Sequence, residues 1–263
     1  MTRFDRRALF ASGAAAALLA ATGVSAHARP QRGGRLRAAL SAVPGEAWEA
    51  AAPSLFLRVA RHGVLEGLTE LAADGTLRGR LASDWSSADG GRTWAFTLRA
   101  AHWHDGTPVT AAQVAQALGG TVTDGKVTFT LPEADATLPI RMAGEGALIA
   151  HPEDQTIGTG LYRLATYEPG RRAILHRVTP HPKEEAAGWA DRVDLTGMAS
   201  ADTRLEALMH DMVDVIDHPE NPTPAGLTRL AEALAGPHAF APAELGQAAP
   251  LDNLRLAERW WLA

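Results

Sequence analysis

The sequence predicts an α+β (mixed α/β) fold, and three observations predict it. Some short runs alternate apolar and polar residues at a period of two. Others repeat apolar residues every three or four positions, and the two kinds are interleaved without the regular strand–helix alternation of a doubly wound sheet. Asp-Gly pairs at 74–75, 89–90, 105–106 and 124–125 punctuate these runs with turn signals.

Residues 1–28 read as an export leader rather than as part of the fold. Arg3, Arg6 and Arg7 precede the soft apolar run 11–24, and Ala26-His27-Ala28 offers a small-x-small cleavage pattern. The run is shorter than the roughly 20 residues of a membrane span. Arg6-Arg7 before Leu9-Phe10 resembles a twin-arginine signal, with an ordinary secretory signal as the alternative. Removing this segment's three Arg and one Asp takes the formal charge from -5 to -7. The reading that follows is an exported, periplasmic protein.

Leu36, Ala38 and Leu40 alternate with Arg35, Arg37 and Ala39 as a first strand, ended by Pro44-Gly45. Residues 55–68 read as an apolar helix closing near Gly67. Trp94, Phe96 and Leu98 share one face of a half-buried antiparallel strand. Thr110 and Gln113 form a capping-box pattern opening a helix to about Leu118. Val122 and Val127, on either side of Asp124-Gly125, read as a hairpin with a two-residue turn. Residues 132–160 read mostly as loop, and two strands follow around Pro169-Gly170. Asp202 is placed as the cap of a helix carrying Leu205, Leu208, Met209 and Met212. Thr223-Pro224 is expected to open another, ending at Gly236-Pro237, and a last helix is expected near 251–262.

Composition narrows the function classes. At 46% hydrophobic and 21% charged, the chain suits a packed globular core. The acidic balance excludes a reading built on nucleic-acid phosphates, which calls for a basic surplus. The absence of cysteine removes disulfides, thiolate metal sites and cysteine nucleophiles. Ser-x-x-Lys and Gly-x-Ser-x-Gly patterns and phosphate-cradling glycine loops are missing. The chain therefore reads as a non-enzyme with no bound cofactor required.

Several pieces, in order, resemble the family 5 extracellular solute-binding proteins. They are Glu66-Gly67-Leu68, Asp74-Gly75, Leu81-Ala82-Ser83-Asp84-Trp85, Phe96-Thr97-Leu98-Arg99, and His104-Asp105-Gly106-Thr107-Pro108. Gly158-Thr159-Gly160-Leu161-Tyr162 is similar to the family's Gly-Thr-Gly-Pro-Tyr turn, and Gly33-Gly34-Arg35-Leu36 to its opening strand. The resemblance implies a periplasmic-binding-protein-like (type II) single lobe, with an antiparallel or mixed sheet and flanking helices. It also implies a periplasmic receptor serving an ABC importer permease, with a peptide or other small-molecule solute. Family members are built as two lobes closing on a ligand, and the matched pieces belong to the first. The expected organisation is a leader over 1–28, the first lobe over 29–220 and a helical tail over 221–263. The competing reading is a single-lobe periplasmic interaction module that has lost solute capture and works as a homodimer or on a protein partner.

The candidate ligand-binding residues are Val43, Trp48, Glu66, Gly160 and Tyr162. Val43 and Trp48 lie in the loop after the first strand, where a scaffold presents binding groups. Indole and carboxylate suit a peptide or an organic metal complex. Trp48 could equally fill the lobe's own core, and Glu66 could be a buried structural carboxylate. Trp85 and Trp94 are expected in the core. His102 and His104 could share a strand face and offer two nitrogens to a metal. The simpler alternative makes His104 part of the family turn, with His102 as a surface neighbour.

Overall fold

The computed structural model of the protein describes residues 33–71, 76–183, 190–218, 227–229 and 238–242. The leader, the stretch 251–262, Trp189, Trp260 and Trp261 lie outside the described residues.

The strands are β1 (Arg35–Leu40), β2 (Thr69–Leu71), β3 (Leu77–Gly79), β4 (Ala82–Ser86), β5 (Thr93–Leu98), β6 (Thr121–Thr123) and β7 (Lys126–Thr130). They continue as β8 (Tyr162–Glu168), β9 (Arg172–Arg177), β10 (Arg192–Gly197), β11 (Val215–His218), β12 (Leu227–Arg229) and β13 (His238–Pro242). The helices are α1 (Leu55–Val64), α2 (Ala111–Leu118), α3 (Leu138–Arg141) and α4 (Ala201–Met209).

One mixed sheet runs β12-β13-β11-β1-β10-β9-β8, with β1 parallel to both β10 and β11 and the other pairs antiparallel. β1 is buried on both faces. Leu36, Ala38 and Leu40 pack under α1 with Phe56, Leu57 and Leu175, whereas Ala39 packs under α4 with Ala207 and Leu208. A four-stranded antiparallel sheet, β4-β5-β7-β6, forms a second core with α2, where Phe96, Trp103, Val114 and Val127 meet. β2 and β3 make a small hairpin beside it.

Local chemistry explains several boundaries. Ser54 caps α1 through its hydroxyl, and the helix stops at Val64, before the expected Gly67. Leu65 turns extended there and Glu66 bridges Ile149. Thr110 and Gln113 form the expected capping box, and Gly119 closes α2 in the left-handed region at φ 69°. In the β6–β7 turn Asp124 and Gly125 both take positive φ, 51° and 74°, as a two-residue hairpin turn of the primed type requires.

Four expectations need correction. The α4 cap is Ser200, whose hydroxyl accepts from the Thr203 amide, and Asp202 lies inside the first turn. Met209 is 59% exposed and Met212 lies beyond the helix end, because the stripe turns away from the sheet after Leu208. Residues 227–229, expected to be helical, form β12, paired with β13 at the sheet edge. Trp85 and Trp94 are only half-buried, while Trp103 is the tryptophan sealed in that core. No helix among the described residues is long and apolar enough to cross a membrane.

Candidate functional site

The loop after β1 is locked rather than free. The Gly45 amide donates to Pro169 O, and the Tyr167 hydroxyl donates to Glu46 O at 2.7 Å. Buried Glu46 in turn accepts from the Ser54 amide and hydroxyl at the start of α1. Gly170 is obligatory in this clamp, since a Cβ there would stand 2.0 Å from Val43 O and the φ is already +65°. Val43 stays 57% exposed on the outer side of the loop.

Trp48 turns inward from the same loop and is 4% exposed. Its ring meets Tyr167 edge-on, with centroids 5.2 Å apart at 81°. Its Nε1 donates to Gln155 O at 2.7 Å, and Arg61 of α1 donates to its carbonyl through Nε at 2.8 Å. What remains open beside the indole is a pocket of about 190 Å³. Trp48, Arg61, Leu65, Leu148 and Ala150 line it, with Glu49 and Glu145 as its acidic groups. Glu145 pairs with Arg61 at 3.3 Å and with His62 at 2.8 Å. Burial alone would raise the Glu145 carboxyl, but these two partners outweigh it and hold it below the usual carboxylate range.

Glu66 follows Leu65, which lines that pocket, and is itself fully buried. Its Oε2 accepts from Arg99 Nη2 at 2.9 Å and from Thr159 Oγ1 at 3.0 Å, and its Oε1 lies 3.4 Å from Arg80 Nε. Burial opposes ionisation here as well, and Arg80 and Arg99 overcome it, so the pKa falls. Thr159 is carried by the Gly158–Tyr162 turn, which presses directly on the end of α1. A Cβ on Gly158 would lie 2.0 Å from Val64 O, and one on Gly160 would lie 2.5 Å from Gly63 O. Tyr162 is sealed in the first core and its hydroxyl donates to Ala190 O at 2.9 Å.

The five candidates therefore fall in two neighbouring places. Trp48 lines the pocket, and Val43 caps the loop that delivers it. Glu66, Gly160 and Tyr162 meet in the packed joint between α1 and the turn at 158–162, where their polar atoms engage the protein itself. His104 belongs to that joint too: its Nε2 lies 2.8 Å from Gly160 O, and its Nδ1 accepts from the Gly158 amide. Burial pushes its pKa down. His102 sits on an isolated bridge to Pro108, so the two histidines follow the turn reading. Among the described residues no three His, Asp or Glu side chains gather as a metal site. Sequence reading missed Arg80, Glu70 and Lys183, which extend the Glu66 network. The available signal was Lys183, one of only two lysines in a chain that otherwise uses arginine.

Known proteins share this architecture. Residues 76–119 match the profile of the family described as bacterial extracellular solute-binding proteins, family 5 Middle. A probable D,D-dipeptide-binding periplasmic protein, DdpA, of Escherichia coli (strain K12) is 26% identical over 54% of this chain and 34% of its own length. The fold is similar to that of AgaA from A. tumefaciens R10, solved with agropinic acid, with TM-score 0.63 and 23% identity over 70% of this chain and 44% of that one. It is also similar to a nickel ABC transporter protein from Bacillus halodurans, with TM-score 0.63 and 19% identity over 74% and 46%. The chain thus spans about a third of that curated relative and less than half of these solved chains. The family's proteins are non-catalytic transport receptors, and periplasmic localisation is typical of them. Residues 76–119 thus resemble the family 5 extracellular solute-binding proteins, and the chain shares the fold of AgaA and of the Bacillus halodurans protein.

Proposed function

We propose that the protein is a periplasmic receptor that hands a peptide-class solute to an ABC importer permease, and that the pocket beside Trp48 holds one end of that solute. The carrying observation is the pocket's chemistry: an indole wall with Arg61, Glu49 and Glu145 around it. A zwitterionic chain end, with an ammonium, a carboxylate and an apolar side chain, complements that set. At about 190 Å³ the pocket is smaller than the roughly 300–1,000 Å³ of complete small-molecule sites, which fits a grip on one terminus. Val43, at the exposed rim of the same loop, is the second contact in this reading. Glu66, Gly160 and Tyr162 act from behind, by fixing the end of α1 from which Arg61 reaches the pocket.

The proposed organisation keeps the leader over 1–28, with the twin-arginine pair as its export signal. The lobe covers 29–220, and 221–263 is a tail that lends β12 and β13 to the lobe's sheet.

Calorimetric titration of the full chain with di- and oligopeptides and with organic metal complexes tests the reading. Saturable peptide binding is expected. Ala150→Phe, which fills the pocket from a half-buried position, should abolish it with little change in melting midpoint. A well-folded full chain that binds nothing across the screen refutes the receptor reading. Peptide binding that Ala150→Phe leaves intact refutes the site.

A further inference from the structure

Among the described residues, the network around Glu66 is not balanced in charge. Two carboxylates, Glu66 and Glu70, face three permanent or near-permanent cations, Arg80, Arg99 and Lys183. Arg80 is 5% exposed; its Nε is 3.0 Å from Glu70 Oε2 and 3.4 Å from Glu66 Oε1. Lys183 Nζ pairs with the same Glu70 oxygen, so the two cations share one anion. Arg99 takes the other oxygen of Glu66. His181, whose Nε2 lies 3.1 Å from Thr159 O, borders the cluster, and burial favours its neutral form. Among the described residues one positive charge is left over.

The hydrogen bonds are unbalanced in the same direction. Among the described residues Arg80 Nη2 and Arg99 Nε are buried donors with no hydrogen-bonded acceptor, and Arg80 Nε and Glu66 Oε1 have only ion-pair contacts outside hydrogen-bond geometry. Orphaned groups of this kind cost about 1–3 kcal/mol each, and more when charged. The complement of the set is therefore defined. It carries one negative charge, offers several acceptor lone pairs to guanidinium groups, and has a single hydrogen to donate to Glu66.

We propose that the Arg80–Arg99–Lys183 cluster binds one small monoanion that also carries a hydroxyl, the chemistry of a short α-hydroxy acid or of bicarbonate. The anion neutralises the surplus charge, its carboxylate accepts from Arg80 and Arg99, and its hydroxyl donates to Glu66 Oε1. None of these residues lines the Trp48 pocket, and the site does not depend on the receptor reading.

Glycolate is the probe, because acetate matches its charge and lacks only the hydroxyl. The full chain is titrated with each by thermal shift and calorimetry, at constant ionic strength. Glycolate is expected to raise the melting midpoint saturably and to bind about tenfold or more tightly than acetate, the worth of one charge-assisted hydrogen bond. Arg80→Leu should remove the glycolate response, and Lys183→Met should weaken it while leaving the fold intact. Should Arg80→Leu fail to fold, Lys183→Met decides alone. Bicarbonate, tested in sealed cells, should behave as glycolate does. A flat response to glycolate and bicarbonate overturns the proposal. So do equal responses to glycolate and acetate, or a glycolate response unchanged in both variants.

Discussion

Replacing Trp48 by alanine removes a side chain that the structure uses in three ways. The indole is 4% exposed, it meets Tyr167 edge-on, and its Nε1 holds the Gln155 carbonyl. Truncating a buried Trp to Ala costs about 3–5 kcal/mol. Of this, the aromatic pair accounts for about 0.5–1.5 kcal/mol and the hydrogen bond for about 1 kcal/mol. The remainder is lost burial and the cavity left behind, which already opens onto the adjoining pocket. Urea unfolding followed by circular dichroism reads the change. With a slope of about 2–3 kcal/mol per molar for a chain of this size, the midpoint should fall by roughly 1–2 M. Trp48→Phe keeps a ring against Tyr167 and gives up the hydrogen bond, so it should fall between the two. A loss below about 1 kcal/mol for the alanine variant would show that the ring is not part of the core and would refute the packing described above.

Glu66→Gln leaves the buried Arg80 and the half-buried Arg99 with less compensation and should cost about 3–5 kcal/mol by chemical denaturation. Because the folded-state pKa of Glu66 is depressed, its contribution is present above the ordinary carboxylate pKa near 4.5 and is lost as pH falls through the lower folded value. The variant's stability should therefore depend less on pH in that acid window. Lys183 runs the other way: burial, and then Arg80, push it from 10.5 down to about 8, so its charged form is disfavoured by folding. Its penalty applies in full below about pH 8 and fades towards 10.5. Wild type should gain stability relative to Lys183→Met across that interval, and parallel curves would refute the assignment. Gly160→Ala drives a Cβ to 2.5 Å from Gly63 O and should cost several kcal/mol. Gly146→Ala, with nothing within 4 Å, should stay within about 0.5 kcal/mol in the same melting assay.

Where structure is decided within a few residues, the sequence was legible. The Thr110 capping box, the Asp124-Gly125 turn and the period-two run at 93–98 all formed as read, because their causes are local hydrogen bonds and backbone preferences. The capping of α4 was misread for a related reason: Ser200 and Asp202 are both good caps, and only the geometry of the entering chain selects one. At 227–229 helical spacing gave way to strand pairing, since β13, itself paired to β11, offers an edge of backbone partners that a helix there would leave unused. The site was half legible. Trp48 announces itself after a Pro-Gly break, but its pocket depends on Glu145 and Gln155 from about a hundred positions away. The Glu70–Arg80 contact is local to the β2–β3 hairpin, but Lys183 reaches it from 113 positions away and leaves no trace in spacing.

The parallel pairing of β1 also sets an order of events. Arg35 finds its partner at Arg192 and Ala38 at Val215, so the strand emerging early must wait for two that emerge more than 150 residues later. The β4–β7 sheet needs only residues 82–130 and can close while synthesis continues. Until the later strands arrive, the sequence Leu36–Leu40 presents an unpaired apolar template, an invitation to sticky encounters with other chains. The length of that delay is written into the topology.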